Sequence, residues 1–168
     1  MQVSNLYFEI RNHFEGLKLT AYQDDKGIWT IGYGTTHYTD GTDVCEGDTC
    51  TEEEAILYAH NDTLRVQDDI STHFPGATQP QFDASVDLAY NIGDAGYDAS
   101  TVLKEEIANA GDIHGAFLMW NKEHKNGAMV VSPGLTRRRM AEAYLYLNGV
   151  NSPDFCTAEL KEWESSQS

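Results

Sequence analysis

Apolar residues fall at positions 3, 6, 7, 10 and 14 of the opening segment, a helical spacing that predicts a short amphipathic helix ending near Phe14. Between positions 21 and 50 the pattern changes to Gly, Asp, Thr and Tyr, which reads as a small antiparallel sheet with loops. Tyr22 to Asp25 is a strand end running into a turn at Lys26-Gly27, and Trp29 to Thr35 alternates like the returning strand. Gly32 and Gly34 would share one bare face of that strand, open to close approach by another group; a bulge or tight sheet packing is the alternative use. Thr51-Glu52-Glu53-Glu54 is a capping box with acids in the first turn. It should start a helix running through Ala55, Ala59, Val66 and Ile70 and stopping before Pro75-Gly76.

Phe82, Val86, Ala89 and Tyr90 mark a second long helix, a central core element. Ser100 is placed to cap a short helix opening at Thr101. A further run covers Ile113 to Trp120, with Phe117 and Trp120 as its buried residues. Pro133-Gly134-Leu135 leads into a last helix, with Thr136 as its cap. The expected organisation is one domain over residues 1–156. It divides into a β lobe over about 15–50, a connecting helix over about 51–73 and a helical lobe over about 79–150. Residues 157–168 read as a frayed acidic tail.

Composition narrows the function classes. No stretch of the 168 residues approaches the roughly 18 apolar positions that cross a bilayer, so no stable membrane association is expected. The opening MQVSNLYFEIRNHFEG is too polar and acidic to read as a signal peptide. A net charge of −16 argues against nucleic acid as a partner and against long-range attraction to anionic polymers. Cys45 and Cys50 are spaced to close a small loop disulfide in an oxidising space, whereas a cytoplasmic product favours reduced thiols; Cys156 leaves the count odd. No His joins the cysteines at metal-ligand spacing. The acidic loop through Asp40, Asp43, Glu46 and Asp48 lacks the closing bidentate Glu of a calcium loop. Neither metal nor cofactor is implied.

Candidate chemistry concentrates in EGLKLTAYQDDKGIWTIGYGTT, Glu15 to Thr36. Breaking a glycosidic bond needs one carboxylic acid to protonate the leaving oxygen and a second carboxylate to help water attack or to shield the oxocarbenium-like sugar. Glu15, followed by Gly16, lies at the C-terminus of the first helix, where the helix dipole favours the protonated form of a carboxyl group. Burial against apolar neighbours would favour it further, as suits a general acid. Asp24 falls in a polar, partly wet turn that keeps a carboxylate ionised, and two carboxylates in opposed settings are the pattern of an acid and its charged partner. Asp25 is the competing second carboxylate. Thr30, by itself, is a β-branched strand residue.

The spacing Glu-x8-Asp-x5-Thr, with Tyr22-Gln23-Asp24 before Thr30-Ile31-Gly32-Tyr33-Gly34, resembles the phage-type lysozyme family, glycoside hydrolase family 24, the bacteriophage endolysins. The QFDA…NIG run, the Ser100-Thr101 start and the GLTRRRMAEA segment extend the likeness over about residues 5–148. The resemblance implies a mostly helical α+β, lysozyme-like fold with a small antiparallel β lobe, a connecting helix and a helical lobe. It implies hydrolysis of the β-1,4 bond between N-acetylmuramic acid and N-acetylglucosamine in peptidoglycan, with host cell lysis as the outcome; a monomer is the default expectation for the oligomeric state. Glu15 would be the acid, Asp24 rather than Asp25 would orient or activate water and balance charge on the sugar, and Thr30 would help hold that water. It also implies synthesis in the host cytoplasm and later release to the wall.

A lytic transglycosylase on the same bond and a non-catalytic peptidoglycan-binding module of the same fold remain as alternatives. One departure stands out: many family members carry a His directly after the second glycine, where this chain has Thr35, with His37 on the same strand face if the strand continues. The Arg137-Arg138-Arg139 run has two readings, a cleft contact to Glu15 or the sugar, and cross-linking of helices through surface or half-buried pairs.

Overall fold

The computed structural model describes residues 1–24, 27–109, 111–125, 127–150 and 165. Asp25 and Lys26, Cys156 and the acidic tail apart from Ser165 lie outside the described residues. The chain forms two compact units, Arg11–Arg65 and Met1–Ile10 with Val66–Ser168. The architecture is mostly helical α+β, with short antiparallel hairpins.

Helix α1 spans Asn5–Glu15. Ser4 starts it: its Oγ accepts the Leu6 amide at 3.1 Å while donating to Asp83. Gly16, at φ +69°, ends it in the left-handed conformation. Strand β1 (Lys18–Gln23) then pairs antiparallel with β2 (Trp29–Gly32), setting Tyr22 opposite Thr30 and Gln23 opposite Trp29. The other edge of β1 is covered by the segment before α2: the Ala21 amide donates to the Asp48 carbonyl at 2.9 Å, and the Cys50 amide to the Leu19 carbonyl at 3.0 Å. Under this sheet lies a small core of Ile31, Tyr33, Val44 and Cys50 with Ala55 and Ala59 of α2 (Glu52–Asp62). The capping box at the start of α2 forms as expected, Thr51 and Glu54 each accepting the other's amide.

Two expectations fail in this unit. The strand predicted through Thr35 stops at Gly32, because Gly32 and Gly34 take φ of +65° and +104° and the chain turns back on itself. The Thr35 amide closes that turn on the Ile31 carbonyl at 3.0 Å. A methyl group on Gly32 would lie 3.1 Å from the Ala55 Cβ, so this glycine serves tight packing against α2. Thr35 is consequently buried, while His37 is exposed and pairs with Asp43 at 2.6 Å; the two do not share a strand face. Secondly, the connecting helix is broken. It is interrupted at Thr63, between α2 and α3 (Leu64–His73), where the Thr63 hydroxyl donates to the His60 carbonyl at 2.8 Å.

In the other unit, α4 (Gln79–Ile92) is the buried central helix, its start closed by a capping box between Thr78 and Gln81. Around it stand α5 (Asp94–Asp98), α6 (Thr101–Ala108, capped by Ser100 as predicted), α7 (Ile113–Leu118) and α8 (Pro133–Asn148). Phe117 is buried, whereas Trp120, expected in the core, is half-buried. A hairpin of β3 (Lys122–Lys125) and β4 (Ala128–Val131) precedes α8 and has no clear periodicity in the sequence. Helix α8 begins three residues before Thr136, with Ser132 at the cap and Pro133 in the first turn. Thr136 sits inside the helix, buried, donating to the Ser132 carbonyl at 2.9 Å.

The arginine run resolves into two kinds of side chain. Arg137 is exposed, while Arg138 and Arg139 are buried rather than on the surface. Arg138 grips the Asp87 carboxylate of α4 with two bonds of 3.0 and 3.1 Å, and Arg139 donates to Glu142 at 2.6 Å. Burial is the strongest single influence on the Asp87 carboxyl group and would raise it, but the Arg138 charge, the bonds from Glu142 and Arg138, and the Arg139 charge together hold it below its ordinary value. Glu142 goes the other way: burial pushes it well above the ordinary range, and the neighbouring Asp87 charge adds to that. Among the described residues, no helix is long and apolar enough to cross a membrane.

Candidate active site

Glu15, Asp24 and Thr30 all belong to the unit Arg11–Arg65, each at the end or edge of an element. Glu15 is the last residue of α1 and half-buried, with Gly16 and Leu17 between it and β1. Leu17 packs on the small core, which fixes the path of the chain just after the carboxylate.

Asp24 occupies the first position of the turn between β1 and β2. Its amide donates to the Ile28 carbonyl at 3.0 Å, its carbonyl accepts the Gly27 amide at 2.9 Å, and its Oδ1 accepts the Ile28 amide at 2.8 Å. The carboxylate is thus held by the turn it opens, through the amide four residues on. Thr30 is buried in β2, and its hydroxyl donates to the same Ile28 carbonyl at 3.1 Å. With its one proton committed there, the Thr30 oxygen faces any further partner as an acceptor. Asp24 and Thr30 are therefore joined through the peptide groups of Ile28, a residue the sequence pattern did not single out.

A second group of polar residues lies in the same unit. The Arg11 guanidinium, fully buried, reaches the Ala59 and Tyr33 carbonyls and lies 3.6 Å from Asp62, which accepts the Thr35 hydroxyl at 2.6 Å. Burial raises the Asp62 carboxyl group above its ordinary value, although the bonds from Thr35 and Arg11 oppose the rise. Sequence reading passed over Arg11; its one signal is that it precedes Glu15 by four residues, one helical turn.

The acidic loop spends its carboxylates on its own turns. Asp40 accepts both the amide and the hydroxyl of Thr42, and Asp48 accepts the Cys45 amide and the Tyr38 hydroxyl. Among the described residues, one set could bring three ligand atoms within 4.8 Å of one another: Asp69, His73 and Asp98, in the other unit. There the His73 Nδ1 lies 3.5 and 3.6 Å from the two carboxylates, the geometry of a surface ion-pair cluster. A cavity of about 580 Å³ beside His73 is lined by Thr78, Gln81, Glu106 and Asn109, and holds none of the three candidate residues. Glu106 in its wall is bonded to Ser85 and Tyr97.

Comparison with known proteins gives a consistent result. The family described as Phage lysozyme matches residues 12–142. An endolysin of Acyrthosiphon pisum secondary endosymbiont phage 1 is 37% identical over 150 residues, covering 87% of this chain and 98% of that protein. Among solved structures, the endolysin from Escherichia coli O157:H7 phage FAHEc1 superposes with a TM-score of 0.85 at 38% identity, covering 90% of this chain and 97% of that one. A P22 lysozyme superposes with a TM-score of 0.75 at 35% identity, covering 88% and 99% of the two chains.

Proposed function

This chain belongs to the phage lysozyme family, and from that premise we propose that Glu15, Asp24 and Thr30 carry its chemistry. The protein is an endolysin-type muramidase, a glycoside hydrolase acting on the β-1,4 bond between N-acetylmuramic acid and N-acetylglucosamine of bacterial peptidoglycan. Glu15 protonates the leaving glycosidic oxygen. Asp24 orients or activates the attacking water and balances positive charge on the sugar, and Thr30 helps to hold that water.

The observation that supports these roles most is the coupling of Asp24 and Thr30 through Ile28. One residue's amide aims the carboxylate at 2.8 Å, and its carbonyl takes the Thr30 proton at 3.1 Å, leaving the hydroxyl oxygen to accept from water. Glu15, at a helix end and separated from β1 by two residues, is presented by separate backbone from Asp24, as an acid and its partner require. We further propose that the enzyme is made in the host cytoplasm and meets the wall later, as a monomer.

The test is reducing-end release from purified peptidoglycan by the wild type and by Glu15→Gln, which keeps the shape but cannot donate the proton. Activity should fall by roughly 10²–10⁴-fold or more in the variant. Activity that survives the substitution would remove Glu15 from the role of acid. Product mass separates hydrolysis from transglycosylation, because an anhydro end is lighter by one water.

A further inference from the structure

Arg11 is a costly residue to find where it is. A guanidinium with no solvent exposure must recover its lost hydration from partners, and an aliphatic side chain at the same position would pack without that demand. Its partners lie on two segments, α2 and the turn after β2. Nη1 donates to the Ala59 carbonyl at 2.6 Å, in the last turn of α2, where carbonyls lack intrahelical donors and a cation suits the helix dipole. Nη2 donates to the Tyr33 carbonyl at 3.0 Å, inside the Gly32–Gly34 turn that immediately follows β2. The same nitrogen lies 3.6 Å from Asp62 Oδ2, and that oxygen accepts the Thr35 hydroxyl at 2.6 Å, just beyond the turn.

We propose that Arg11 is a positioning residue of the muramidase reaction, a clamp that sets the end of α1, and so Glu15, against the strand that carries Thr30. The inference rests on the reading of Glu15 as the acid. Arg11 and Glu15 are four residues apart on α1, so they rise from the same helix face one turn apart, and fixing one limits how the other can move. Thr30 is three residues before Tyr33 and five before Thr35, so the turn held by the clamp is the continuation of its strand. A planar fork with five donors can satisfy two carbonyls and a carboxylate at once, which a single ammonium on a flexible stem cannot do in the same geometry. Thr35 completes the clamp from the far side through its bond to Asp62.

The experiment is steady-state kinetics of Arg11→Lys and Thr35→Val on soluble glycan-strand fragments, with native near-UV circular dichroism confirmed at the assay temperature and Glu15→Gln run alongside. Thr35→Val deletes one hydroxyl in a nearly isosteric side chain, so it remains informative if Arg11→Lys fails to fold. The folded variants should lose roughly 10- to 100-fold in kcat while KM stays within about twofold, the pattern of a misplaced rather than a missing group. Amide hydrogen exchange at Gly16, Gly34 and Thr35 should quicken in the same variants. Unchanged kcat in the folded variants, whatever their melting temperatures or KM, overturns the clamp and leaves Arg11 a stabilising residue only. If Glu15→Gln keeps its activity, the assignment of the acid fails; if Glu15→Gln is inactive while the clamp variants turn over normally, only this inference fails.

Discussion

Asp24 and Thr30 meet through a residue whose side chain takes no part, since the peptide groups of Ile28 serve both. That arrangement makes the two substitutions separable. Asp24→Asn preserves an oxygen for the Ile28 amide while removing the charge, so kcat should drop with the fold intact. Thr30→Val should lower kcat by roughly 10-fold or more through the lost acceptor, with little effect on the denaturant midpoint. Both are read by reducing-end kinetics together with urea unfolding. Gly32 is constrained in a different way: at φ +65°, with Ala55 3.1 Å from where a Cβ would sit, Gly32→Ala should cost about 1–3 kcal/mol in urea-derived stability. The sequence shows Glu15, Asp24 and Thr30 because their spacing is fixed along the chain. It does not show the sense of the Gly32–Gly34 turn, because alternation and a reversing glycine pair look alike until the backbone angles are known.

Helices α4 and α8 are held together by charge as well as by apolar packing. Asp87→Asn would remove the charge that the buried Arg138 holds with two bonds and should cost roughly 3–5 kcal/mol, measured by chemical denaturation. The two acids should also respond to pH in opposite senses. Asp87 is lowered in the native state, so its contribution is present above its ordinary value and is lost as pH falls through the lowered one. Glu142 is raised, so its proton-linked stability is full below the ordinary carboxylate value and is lost as pH climbs through the native one. Glu142→Gln, a fixed neutral mimic of the protonated acid, should therefore flatten the decline of unfolding free energy on the alkaline side. An unchanged decline would place Glu142 in its charged form throughout. The capping box of α2 and the Ser100 cap of α6 were legible locally, as caps are made by residues within four positions of each other. The break at Thr63, the start of α8 at Pro133 and the β3–β4 hairpin were not, because their patterns are short and tertiary packing outweighs weak local preference.

For the molecule as a whole, the net charge of −16 sets how it meets an anionic wall. Raising ionic strength from about 0.01 to 0.1 M shortens the screening length from about 30 to 10 Å, so lysis of intact cell walls by added enzyme should quicken with salt over that range. A rate that falls instead would mean that a local basic surface, rather than the net charge, governs the encounter. The sequence by itself determined the family and the mostly helical α+β class, and it supplied the two carboxylates proposed for the chemistry, because each follows from residue types at fixed separations along one chain. Only the tertiary structure decided what surrounds them. Arg11 against Ala59 and Tyr33, Thr35 against Asp62, and Arg138 against Asp87 join residues 22 to 51 positions apart. Such contacts are selected by how the elements pack, and the energy of a buried charge depends on partners that no local pattern specifies.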